Sequence, residues 1–230
     1  MASVTGAALW LVQETPTLGQ GQELRLADLW EAGGFMMWPL GICLAIGLLI
    51  IVWKFFDLQI KAAKNRSLLK EVDGLIAQQR LDQALSLCEE SNSPAGNILA
   101  AGLRRYEEGT ARVTQAIANA GAIEVSKVER GLVWLATLSN VAPLLGFLGT
   151  VIGMIQAFQA IEIAGEVEAT LVAGGIKVAL ITTATGLAIA IPINIAHNYF
   201  VSRVDRIVID MEESAQKMID AVHAIERGTA

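Results

Sequence analysis

An all-α membrane protein with three transmembrane helices is the fold class this sequence predicts, and three observations carry it. Apolar runs at about 36–56, 131–161 and 171–199 contain no Asp or Glu. Hydrophobic residues make up 53% of the 230, against 17% charged, too apolar a balance for a soluble domain of this size. Finally, bases gather at one end of each run and acids at the other, as membrane topology requires.

The first 35 residues lack the pattern of a signal peptide: the apolar run at 7–12 is short and no Lys or Arg precedes it. Residues 24–30 (LRLADLW) read as a short amphipathic helix on the membrane surface. The first span, 36–56, has roughly the 20 residues a bilayer core needs, with Pro39 near its start, where a missing N–H costs least. Trp38 and Trp53 bracket it as interfacial anchors. Lys54, Lys61, Lys64, Arg66 and Lys70 follow, whereas only Arg25 precedes it. The positive-inside rule therefore places residues 1–35 outside and residue 57 onward in the cytoplasm.

Residues 57–130 have soluble composition and helical periodicity, with Val72, Leu75, Ile76, Leu81, Leu85 and Leu87 at roughly helical spacing and a break at 91–94. The second span, 131–161, is longer than a membrane needs and should project from it. Glu162, Glu166 and Glu168 then form an acidic loop at 162–170, suited to the outside. The third span, 171–199, returns to Arg203 and Arg206. The N-terminus is thus expected outside and the C-terminus inside.

In 200–230, Val201, Val204, Val208, Met211, Ala215, Met218, Val222 and Ile225 alternate steps of three and four. The third span is expected to continue as one long helix into a cytoplasmic helical bundle, facing a second helix. A helix folding back on its own domain would use the same seam.

Several functional classes recede. A net charge of −6 argues against nucleic acid. Cys43, Cys88, His197 and His223 stand apart, with no metal-ligand spacing and no cofactor implied. No nucleophile–base set or nucleotide loop can be assembled, so an enzyme is not expected.

The polar and small residues of the spans carry the remaining signal. Ala142, Gly146, Gly149, Gly153 and Ala157 share one face of the second span, and Gly149–Gly153 is a GxxxG, which many membrane helices use only to pack closely. Thr150 shares their neighbourhood, Asn140 lies a turn away, and Gly186 answers them on the third span. Thr182, Thr183 and Thr185 fall within one turn; a single membrane Thr usually bonds its own backbone, but three cannot all face one neighbour. Pro143 and Pro192 free backbone carbonyls that something must satisfy. An ion path usually holds an ionisable group, yet the spans have no carboxylate, and Lys177 is close enough to the outer end to snorkel. Another protein must supply the acid, or the wall conducts nothing.

The motifs AP-LLG-x-LGTVxGM at 142–154 and GIxxALxTTxTGLxxAIP at 175–192 closely resemble the MotA/TolQ/ExbB proton-channel family, on its ExbB-like branch. MWPL at 37–40 and SPAGNILAAGLRR at 93–105 extend the match. The resemblance implies a homo-pentameric ring in the bacterial inner membrane, with the second and third helices lining a pore. It also implies an ExbD- or TolR-like single-span partner bringing the pore Asp, and transfer of the ion-motive force to a TonB- or TolA-like protein. The family's pore threonines map onto Thr150 and Thr183. One departure is notable: where such relatives commonly carry a Glu before the ALxxT motif, this chain has Val178, beside Lys177. The alternatives are a non-conducting scaffold, or a TolQ- or MotA-like stator for envelope maintenance or motility; Na⁺ could replace H⁺.

Overall fold

The computed structural model describes residues 30–78 and 80–228. Apart from Trp30, the amphipathic segment at 24–30 lies outside the described residues. Among those described, six α-helices and no strand occur: α1 (Met37–Ala77), α2 (Leu81–Ser91), α3 (Pro94–Leu103), α4 (Thr110–Glu129), α5 (Leu132–Ala164) and α6 (Ala169–Glu226), with 3₁₀ turns at Gly34–Met36 and Tyr106–Glu108.

Three helices are long and apolar enough to cross a membrane. At 1.5 Å per residue, the 41 residues of α1 run about 60 Å and the 58 of α6 about 87 Å. Both outlast a hydrocarbon core of about 30 Å, so each must continue into water. Their apolar windows are only 28–33% buried within the chain. Leu49, Phe147 and Ile195 lie bare, a surface suited to lipid or to neighbouring subunits rather than to water.

By internal contacts the chain divides into two units. Of the described residues, one comprises 30–40 with Leu145–Gly186, the other Gly41–Leu144 with 187–228. In the second unit, the break expected at 91–94 is a compact double cap. Asn92 ends α2 in the left-handed region (φ 45°), and Ser93 Oγ accepts from Gly96 N at 3.1 Å with Pro94 opening α3. Leu99 and Leu103 then pack fully inside, as do Val72, Leu81 and Cys88. Burial pushes the Cys88 thiol up to about 12.

The seam of the terminal helix closes within the chain. Val204, Met211, Ala215, Met218 and Val222 are buried, and Val201 and Val208 half-buried. The Met218 methyl occupies the space a side chain at Gly102 would need, beside Ile117. Lys217 reaches Asp73 at 3.1 Å and Glu213 at 3.0 Å, which together hold its ammonium above the ordinary lysine range. The facing helices are therefore those of the same protomer, and α6 meets them without folding back.

The flanking bases require a correction. Lys54 is not a free positive charge at the end of a span: it is fully buried. Its Nζ donates to the carbonyls of Val128 at 2.6 Å and Arg130 at 2.8 Å, and lies 3.6 Å from Asp57 Oδ2, which Lys61 also contacts at 2.9 Å. Those carbonyls lie at the end of α4, where a helix runs out of intrahelical donors. Gly131, at φ +96°, then turns the chain into α5, and any Cβ there would meet the Trp53 ring at 3.3 Å.

Candidate functional site

In the first unit, the second half of α5 and the start of α6 form an antiparallel pair closed by residues 165–168. Glycine decides how near the two backbones come. A Cβ at Gly146 would lie 3.0 Å from the Thr182 carbonyl and 3.3 Å from Gly186 Cα; one at Gly153 would lie 2.6 Å from the Gly175 carbonyl and 2.9 Å from Ala179 N. These neighbours are backbone atoms that cannot swing aside, so the close approach exists only because the side chains are missing. Ala157 packs over Gly175, and Ala142, in the other unit, is fully buried. The packing face thus takes in Gly175 and Ala179, which the site as read from sequence omitted although both stand in the second motif. Their signal was the Gly174–Gly175 doublet, one helical step ahead of Ala179.

The hydroxyls separate by role. Thr182, expected on the ion path, is instead wholly buried. It fills the notch left by Gly149, whose Cβ would come within 2.5 Å of Thr182 Cβ. Its Oγ1 donates to Val178 O at 2.9 Å and Ala179 O at 3.0 Å. Thr182 therefore packs against the glycine face of α5 within the chain. Thr183, half-buried, donates to Ala179 O at 3.1 Å and lies 3.3 Å from Gly146 O on the facing helix. Thr150 donates to Phe147 O at 2.6 Å and Thr185 to Ile181 O at 2.8 Å, both half-buried.

Each hydroxyl proton is thus committed to a main-chain carbonyl three or four residues back, the commonest habit of a membrane threonine. What remains at Thr150, Thr183 and Thr185 is oxygen lone pairs, able to accept from water or from a protonated carboxyl group. None of these groups can itself take up and release a proton near neutral pH. Lys177 is exposed and Val178 half-buried, so no acid stands where the resembling proteins commonly have one.

Asn140 is exposed and belongs to the second unit, where it lines a groove with Glu129, Thr137, His197 and Asp205. Both prolines sit inside unbroken helices, Pro143 half-buried in α5 and Pro192 exposed in α6. No group of His, Cys, Asp or Glu suited to a metal ion occurs among the described residues.

Long apolar helices with bare flanks, two of them paired through glycine, define a multi-pass membrane protein. Residues 90–213 match the MotA/TolQ/ExbB proton channel family, and the chain belongs to that family, on its ExbB-like side. It is 35% identical over 145 residues to a putative biopolymer transport protein ExbB homolog of Methanothermobacter thermautotrophicus, covering 63% of this chain and 51% of that one. Against the Tol-Pal system protein TolQ of Haemophilus influenzae the identity is 36% over 107 residues, 46% and 47% of the two chains. Against a putative biopolymer transport protein ExbB-like 1 of Synechocystis it is 32% over 178 residues, 74% and 68% of the two. The first two matches thus span about half the length of those relatives.

Proposed function

We propose that this chain is an inner-membrane ion-channel and motor subunit that uses the proton-motive force to energise transport across the periplasm. Residues 1–35 and the loop at 162–170 face the periplasm in this reading. Residues 57–130 and 200–230 face the cytoplasm, and the three spans are 36–56, 131–161 and 171–199. Five copies form a ring in which the second and third spans surround a pore. An ExbD- or TolR-like single-span protein occupies that pore, brings the titrating Asp, and passes the energy to a TonB- or TolA-like protein. The names of the ExbB-type relatives, as biopolymer transport proteins, support this assignment.

One observation carries the mechanism: Thr150 and Thr183 offer acceptor oxygens beside a glycine-tight helix pair whose spans contain no carboxylate. A proton cannot cross hydrocarbon on hydroxyls alone at a useful rate, so a carrier acid must come from another chain. A neutral, protonated Asp could donate to Thr183 Oγ1. After deprotonation, the same carboxylate would lose that contact and favour water. The two protonation states would then prefer different positions against the ring, which is the requirement for coupling ion flow to movement.

Proton uptake into vesicles tests this. With the chain and an ExbD- or TolR-like single-span partner, a pH gradient should collapse on addition of a permeant counter-ion. With the chain alone, it should persist. Conduction by the chain alone would overturn the reading. A tight vesicle in both cases would favour the non-conducting scaffold, which the commitment of the span threonine protons to main-chain carbonyls also suits.

A further inference from the structure

We infer that the cleft between α1 and α6 at the end of the apolar belt is a binding site for the phosphate headgroup of an anionic phospholipid. The cleft encloses about 380 Å³, within the usual range of ligand sites of roughly 300–1,000 Å³. At its apolar end stand Phe55 and Tyr199, within one residue of the ends of the first and third spans read from sequence, 43% and 45% exposed. Arg203 and Arg206 line it one and two helical turns beyond Tyr199, and Arg66 lines it from α1. Arg203 Nε donates to Tyr199 Oη at 3.2 Å and its guanidinium lies 5.7 Å from that ring, which fixes the side chain against the aromatic end.

Charge selects the occupant. Three guanidinium groups face one carboxylate, Asp210, and none of the three makes an ion pair among the described residues. A second groove of the same volume, lined by Glu129, Asn140, His197 and Asp205, has two carboxylates and no Lys or Arg. Size therefore does not distinguish the two, but sign does: an anion suits only the first. The aromatic end settles which anion. A soluble phosphate or acidic peptide has no use for exposed aromatic surface, whereas a phospholipid carries acyl chains to lay along it and a phosphodiester for the arginines. Basic pockets between helices at a membrane surface bind headgroups in this way, each basic residue strengthening binding by about 1 kcal/mol, or roughly fivefold.

The test is native mass spectrometry of the full chain in detergent, titrated with dioleoyl-phosphatidylglycerol, dioleoyl-phosphatidylcholine or inorganic phosphate. Wild-type protein should retain phosphatidylglycerol at least roughly tenfold more strongly than phosphatidylcholine, and the Arg203→Gln/Arg206→Gln variant should lose most of that preference. Asp210→Asn should strengthen phosphatidylglycerol binding, a gain that misfolding cannot produce, and Glu129→Gln in the acidic groove should leave it unchanged. Equal retention of the two lipids, indifference to Asp210→Asn and to the arginine pair, or inorganic phosphate displacing the lipid at comparable concentration would each overturn the assignment. No ion flux enters the readout, so the result is independent of whether the ring conducts.

Discussion

Replacing Lys54 with Met isolates one buried amine. The substitution keeps an unbranched stem of similar reach and removes only the charged donor. The Val128 and Arg130 carbonyls, now served at 2.6 and 2.8 Å, would be left without it. A buried polar group without a partner costs about 1–3 kcal/mol, and the Arg130 bond is only partly buried, so the pair together should cost about 2–4 kcal/mol. Asp57 limits the loss, since it keeps Lys61 at 2.9 Å and is not orphaned. That places the change at or under the lower half of the about 3–5 kcal/mol of a fully broken buried ion pair. For a chain of this length, each kcal/mol corresponds to a shift of about 2–4 °C, so the melting temperature should fall by about 4–16 °C. Tryptophan fluorescence of the full chain in detergent is a suitable probe, because the Trp53 ring lies 5.8 Å from the amine. Hydrogen exchange should accelerate at the end of α4 and in the turn at Gly131. A melt within about 1 °C of wild type, with unchanged exchange there, would refute the claim that this lysine holds α1 to the α4–α5 junction.

Four further outcomes follow from the same geometry. Gly153→Val should weaken the α5–α6 pair by about 1–3 kcal/mol, read as a lower melting temperature and lower yield from detergent, because its Cβ meets backbone rather than a movable side chain. Thr183→Val should leave expression and melting nearly intact yet abolish partner-dependent proton flux; wild-type flux would remove the hydroxyl from the mechanism. Met218→Asp should unfold the helices around Gly102 and Ile117 within a single protomer, so proteolysis of the soluble region should accelerate even where no ring forms. Cys88 should resist alkylation at pH 8 until the chain is denatured. Since its pKa is raised by burial, the unfolded thiol ionises first, and stability should decline as pH climbs from about 9 towards 12, checked by denaturant titration across that window.

Much of this protein is written locally in its residues. Three long apolar runs without carboxylates, the helical seam from Val201 to Val222, and the break at 91–94 all depend on neighbours a few positions away, and periodicity exposes such relations directly. The two motifs at 142–154 and 175–192 also pointed to the family. Tertiary structure alone decided which side chains those patterns bring together. Thr182 and Thr183 are adjacent and chemically identical, yet one fills the notch at Gly149 while the other keeps its oxygen accessible, because neighbouring positions on a helix point about 100° apart. Lys54 looks like any flanking base until the carbonyls of Val128 and Arg130, more than seventy residues away, are folded against it. Likewise, Arg66 and Arg206 share a cleft only because α1 and α6 lie side by side. Long-range contacts of this kind leave no periodic trace in the chain, since their energy belongs to a meeting of distant surfaces and not to either segment alone.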